Sequence, residues 1–157
     1  MTQLPFDHLS YLDRVKIQTE ILLPLFRRMR EEIGNERACE MLRGAVREYS
    51  IAFGESLGRS GGATSLERLR NAIPIFAADD ALAVEPLADT ADELTFNVTR
   101  CKYAEFFHEL GEPEFGAILT CEIDPPMTKA VGQDLDLERT QTRMGGAHHC
   151  DFRWKQG

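Results

Sequence analysis

The sequence contains no paired metal or redox motif, no membrane-length apolar run and no basic stripe, and each absence removes a class of function. Its four cysteines, Cys39, Cys101, Cys121 and Cys150, are widely spaced without a CxxC pair. They are read as free thiols of a reducing compartment rather than as a disulfide frame or a zinc clip. No run of apolar residues approaches the ~20 needed to cross a bilayer. The opening residues Met1–His8 lack a basic segment followed by an apolar one, so no secretory leader is expected and the location is taken as cytoplasmic, away from membranes. Lys and Arg number 18 against 26 Asp and Glu, a formal net charge of -8. That balance repels phosphate backbones and argues against a nucleic-acid partner.

What is present is enough apolar sequence for a core. Hydrophobic residues are 43% of 157, which suits a single α+β domain over 1–157 with a helical part (1–80) and a mixed part (81–157). Apolar residues from Leu9 to Ile33 fall at helical spacing, with a kink or break expected at Pro24. A second helix is expected from Ala38 to near Gly58, with Gly34 closing the first and Asn35 capping the second. Ser65 is expected to cap a third helix that Pro74 stops early. Leu94, Phe96 and Val98 then alternate with polar residues, the mark of a half-buried strand, and 83–87 offers a partner. Residues 102–110 and Pro113–Cys121 return to helical spacing, and Pro125-Pro126 is read as a break followed by a turn to Gly132. Alternation resumes at Leu135 and Leu137, continues in extended form through Arg139–Arg143, and returns at Cys150, Phe152 and Trp154. N-terminal helices followed by a β-β-α-α-β-β unit predict a small antiparallel sheet packed by helices.

Ionisable residues concentrate in the last third. Cys101 stands where a strand pattern gives way to a helix pattern, and the positive end of a helix dipole favours thiolate; a small buried hydrophobe explains the same residue. In His148-His149-Cys150-Asp151, alternation sends His149 and Asp151 to one face and Cys150, Phe152 and Trp154 to the other. Cys150 then reads as core, and His149 with Asp151 as a proton shuttle or a solvated pair. Asp124 suits a turn, a cap or a substrate contact. Glu105, with Glu109 one turn on, reads equally as a solvated face. Arg139 and Arg143 flank a Thr-Gln-Thr stretch, and an inward Arg would clamp a carboxylate. A zinc site from Cys101, Cys121, His149 and Cys150 has suitable ligand types without the spacing of structural zinc.

Several stretches together resemble the L-2-amino-thiazoline-4-carboxylic acid hydrolase family. They are Phe96–Glu105, Leu110-Gly111-Glu112-Pro113-Glu114, Cys121 with Asp124, Arg139–Thr142, and Gly146–Arg153, in order and with compatible gaps over about 90–155. Pro125-Pro126-Met127 departs from the family pattern beside Asp124. The resemblance implies hydrolytic opening of a cyclic isothiourea: water adds to C2 of a thiazoline ring and a carbamoyl derivative of cysteine results. It implies Cys101 as nucleophile or thiolate partner and His149 as general base oriented by Asp151. Asp124 would hold the protonated amidine and Arg139 the carboxylate, with Thr142 and Glu105 completing the substrate-binding set. A water-only mechanism run by His149 and Asp151, with Cys101 lining the pocket, is the alternative. No cofactor is expected, zinc hydrolysis being the variant that would need one. A different class of reading is a non-catalytic small-molecule binding or sensor domain, whose helical front would serve homo-oligomerisation.

Overall fold

In a computed structural model, residues 8–157 are described; the leader reading of residues 1–7 lies outside them. Three helices come first: α1 (Tyr11–Ile33), α2 (Asn35–Gly58) and α3 (Ser65–Ala77). A 3₁₀ turn leads into β1 (Leu82–Asp89) and β2 (Glu93–Cys101). Then come α4 (Lys102–Glu109), α5 (Pro113–Gly116) running into a π-helical turn (Ala117–Cys121), and α6 (Asp124–Val131). β3 (Leu135–Glu138) and β4 (Cys150–Gln156) close the chain. The four strands form one antiparallel sheet in the order β1-β2-β4-β3, the α+β architecture expected.

The prolines behave differently from expectation. α1 passes through Pro24 and α3 through Pro74 to Ala77. Both prolines lie on exposed faces, where water can satisfy the carbonyl that each missing N–H leaves free. Pro125 and Pro126 do not end a helix. They sit in the first turn of α6, where an absent N–H costs nothing. Caps also shift by one residue. Gly34, at φ 83°, serves as both the end of α1 and the N-cap of α2, with Asn35 inside the helix. Thr64, not Ser65, caps α3 in a capping box with Glu67. Residues 139–143 are irregular rather than extended into the sheet.

Burial follows alternation on β2 and β4. Val98 pairs with Cys150, Phe96 with Phe152 and Leu94 with Trp154, so one sheet face presents an aromatic layer to the helices. Trp154 Nε1 donates to Thr128 Oγ1 at 3.0 Å, tying β4 to α6. α6 in turn lies directly on α2. A Cβ placed at Gly54 would come within 2.5 Å of the Met127 carbonyl oxygen, so the helices approach at glycine distance. The core divides into two clusters. One joins α1, α2, α4 and α5, and the other joins α3, α6 and the sheet, with Phe53, Phe76, Leu82 and Cys101 touching both.

Candidate functional site

The seam between these clusters is not fully filled. It holds a cavity of about 80 Å³ whose walls come from both sides: Tyr11 and Tyr103 from the first, Phe96, Met127, Cys150 and Trp154 from the second. Aromatic and aliphatic surface dominates. The ion pair Asp124–Arg139, Thr120, Thr142 and the free cysteines Cys101, Cys121 and Cys150 complete its lining.

The polar wall has a local origin. The chain from Ala117 to Cys121 takes a π turn, a form that loosens the regular carbonyl ladder and recurs at functional sites. The Cys121 carbonyl accepts from Arg139 Nη2 at 3.0 Å. Three residues on, Asp124 opens α6, and its Oδ2 accepts from Arg139 Nη1. The Arg139 guanidinium also lies over the Phe152 ring, 5.2 Å from its centroid. Arg139 thus bridges β3's end, the π turn and α6. The Asp124 and Arg139 side chains are only 15% and 13% exposed. An ion pair so withdrawn from water contributes little net stability, since desolvation offsets attraction. Burial outweighs the neighbouring guanidinium and pushes the Asp124 carboxyl up to about 6.

The cysteines are neutral thiols. Cys101 is the N-cap of α4, its Sγ accepting from the Ala104 N–H at 3.5 Å. The expectation of a helix-activated thiolate reverses here: burial outweighs those amides and pushes Cys101 up to about 11. Burial, helped by the Asp124 charge, pushes Cys121 up to about 12, and burial raises Cys150 as well.

Of the residues expected at the site, Cys101, Asp124, Arg139 and Thr142 meet at the cavity, whereas His149, Asp151 and Glu105 are not among its lining. Glu105 forms a two-pronged pair with Arg100 at 2.8 and 3.1 Å on the surface, and that pairing holds its carboxyl below the ordinary range. His149 is half-buried beside Gln141, 3.1 Å from its Nε2. Asp151 does not orient it. Its carboxylate accepts instead from the Thr140 N–H (2.9 Å), the Thr140 hydroxyl (2.5 Å) and the Gln141 N–H (2.8 Å). Although burial opposes it, these donors hold the Asp151 carboxyl below its ordinary range. Asp124, expected at a break followed by a turn, is helical because its prolines start a helix. Cys121, expected only as a candidate zinc ligand, lines the cavity, and Tyr11 and Tyr103 join it without any sequence signal for the site. Tyr11 lies more than 80 residues from the rest of the polar wall, and no local pattern marks its approach. Among the described residues no group of three or more His, Cys, Asp or Glu side chains converges on a metal position, and no helix is long and apolar enough to cross a membrane.

A family model described as L-2-amino-thiazoline-4-carboxylic acid hydrolase matches residues 14–154. No curated protein matches in sequence. Among solved structures, the phenol-responsive sensory domain of the transcription activator PoxR, bound to phenol, aligns with a TM-score of 0.56 at 16% identity. That alignment covers 88% of this chain and 74% of that one. At such identity the likeness is one of fold.

Proposed function

The chain belongs to the L-2-amino-thiazoline-4-carboxylic acid hydrolase family, and from that premise we propose that it hydrolyses a small cyclic amidine or isothiourea, such as 2-aminothiazoline-4-carboxylate, inside this cavity. The observation that carries the reading is the Asp124–Arg139 pair on an otherwise mainly apolar wall. Its two charges match the two charges of an amidinium carboxylate. The substrate's amidine faces Asp124 and its carboxylate takes donors of Arg139 that the protein leaves free, so neither buried charge is stranded.

Asp124 is also the best general base. A carboxyl pushed up to about 6 exchanges protons near neutral pH. Among the described residues its Oδ1 has no protein partner, while Oδ2 is held by Arg139. In the proposed reaction Asp124 takes a proton from water as the oxygen adds to C2 of the ring. The C2–S bond then breaks with its electron pair on sulfur, which receives the proton from Asp124. The hydroxyl collapses to the carbamoyl C=O, releasing the proton the amidinium brought. The product is N-carbamoylcysteine with a free thiol. Cys101 shapes the wall and remains protonated. No metal or other cofactor enters these steps. The test supplies 2-aminothiazoline-4-carboxylate to the purified protein and follows carbamoyl product and new thiol, with Asp124→Asn in parallel. Product from the wild type and none from the variant supports the reading; turnover that survives Asp124→Asn removes Asp124 from it.

A second reading is favoured by the aromatic lining and by the fold shared with a phenol-responsive domain: a sensor that binds a small neutral aromatic and leaves the Asp124–Arg139 pair undisturbed. Trp154, the one tryptophan, lines the cavity, so its fluorescence reports either ligand. Saturable quenching by phenol, with no turnover of the thiazoline, favours the sensor.

A further inference from the structure

We propose that Arg139–Thr142 is the door of the cavity and that Asp151 is its latch, a positioning residue that holds Arg139 and Thr142 in the wall. The inference rests on the cavity being the ligand site and is indifferent to whether a bond is broken there.

Arg139 and Thr142 line the cavity on one side. The same two residues, with Thr140, Gln141, Gly145 and Ala147, line a groove open to solvent on the other. The wall there is one chain segment thick. It also lies outside the sheet: β3 ends at Glu138 and β4 begins at Cys150, so no strand ladder fixes the residues between. The first residue pair of β4 holds them from opposite faces. Cys150 Sγ, on the cavity side, accepts from the Arg143 N–H at 3.2 Å. Asp151, on the outer side, takes three hydrogen bonds from Thr140 and Gln141, the residues between Arg139 and Thr142. Farther along, the chain is fixed: Met144 is buried in the first core cluster with its carbonyl 3.0 Å from His108 Nε2 on α4, Thr142 Oγ1 accepts from the Gly145 N–H at 3.0 Å, and Arg143 Nη1 donates to the His148 carbonyl at 3.0 Å. Arg139–Thr142 is thus a short flap between two fixed ends, joined to the body through Asp151, the Arg139 fork and the Gln141–His149 contact. Charge-assisted bonds to one carboxylate are strong enough to hold it and exposed enough to open: Thr140 is solvent-exposed and Asp151 only partly buried.

Alkylation of the cavity thiols by iodoacetamide, resolved by residue with mass spectrometry, tests this without any assay of activity. Cys101, Cys121 and Cys150 report the cavity, and Cys39, buried in α2 outside its lining, reports the rest of the fold. In Asp151→Ala the cavity thiols should react about tenfold faster or more, with Cys39 unchanged, as expected for loss of hydrogen bonds to a charged acceptor. Asp151→Asn keeps an acceptor oxygen for the two backbone N–H groups and should fall between. Cavity rates equal to wild type in Asp151→Ala overturn the latch. A rise of all four cysteines together also overturns it, since Asp151 would then only support global stability. If ligand binding is measured alongside, faster association and dissociation with a smaller change in Kd fits a door.

Discussion

The wall at Cys121–Asp124 and the turn at His148–Asp151 carry comparable sets of ionisable groups, yet they reach opposite environments. The turn packs two imidazoles, a thiol and a carboxylate into four residues. Its His149 and Asp151 face the flap and solvent, where Asp151 meets ordinary donors and its carboxyl falls below its usual range. In the wall, Glu122 turns outward to Arg43 and Asp124 stands beside two prolines. A π turn and a helix start carry that acid to an apolar cavity, where burial raises it to about 6 against the pull of Arg139. Density of titratable residues along the chain measures how much charge is present. Chemistry depends on where water is excluded, and that is decided by which elements pack together.

The sharpest way to break this comparison is to remove the acid of the wall. On the proposed reaction Asp124→Asn lowers kcat by about 10²–10⁴-fold, the usual share of a positioned general base. Steady-state kinetics on 2-aminothiazoline-4-carboxylate check it. The pH profile follows the same group. Asp124 acts only when deprotonated, and its carboxyl is raised to about 6. For the wild type, kcat/KM should therefore rise through about pH 6 and level above it. The sign for stability is the reverse. A carboxyl raised in the folded state favours folding when protonated, so Asp124 contributes stability in acid that fades as pH rises through about 6. A wild-type acid limb near pH 4 would instead point to an unperturbed carboxylate.

Moving the wall without touching its charges gives the next effect. Gly54→Ala places a Cβ 2.5 Å from the Met127 carbonyl oxygen and 2.7 Å from the Ala130 Cβ. The better helix propensity of alanine cannot offset overlap with a backbone atom, and a loss of about 1–3 kcal/mol is expected. Gly44, on the same helix, has open space around its Cβ position, so Gly44→Ala should gain up to about 1 kcal/mol. Denaturant melts of the two variants measure both signs. Because α6 carries Asp124 three residues before Met127, Gly54→Ala should also reduce turnover.

How much of this was readable beforehand follows from range. The α+β order and the inward face Cys150–Phe152–Trp154 depend on period-two alternation within a few residues, and both were legible. The hairpin of β1 and β2 was legible for the same reason. Pro125-Pro126 was ambiguous by nature, since proline both stops a helix and starts one, and only packing of α6 on α2 selects the second. Cys101 stands at the expected strand-to-helix junction, but its ionisation depends on burial at the seam of the two core clusters, which no local pattern reveals. Asp151 does lie on the face of β4 opposite Cys150, while His149 precedes the strand. That this face meets the Thr140–Gln141 backbone, and not a cavity, is a matter of how the irregular connection from Glu138 to Cys150 folds back.

The turn itself supplies a smaller prediction. His149 contacts Gln141 and lies outside the cavity lining. His149→Ala should change kcat by less than about threefold, in the range of substitutions away from core and site. A loss of a hundredfold would restore His149 as the base and return the chemistry to the turn.

The smallest effect is expected at Cys101, and it bears on the wall's own chemistry. A thiol at about 11 is ionised in roughly one molecule in 10⁴ at pH 7. A nucleophile so rarely charged would need a base to take its proton. Asp124 would then serve the thiol instead of water, and a covalent isothiouronium would form at C2 as the ring C2–S bond breaks and its sulfur leaves as a thiol. Cys101→Ala separates the two routes. If water is the nucleophile, the variant loses an N-cap contact and a little packing, and kcat stays within about threefold. If Cys101 attacks the ring, kcat falls by orders of magnitude while Kd for the substrate holds, and mass spectrometry of quenched wild type shows an adduct on the peptide containing Cys101. Neutrality of all three cavity thiols favours the first result: the cavity keeps them from charging, and the one group it brings toward neutrality is Asp124.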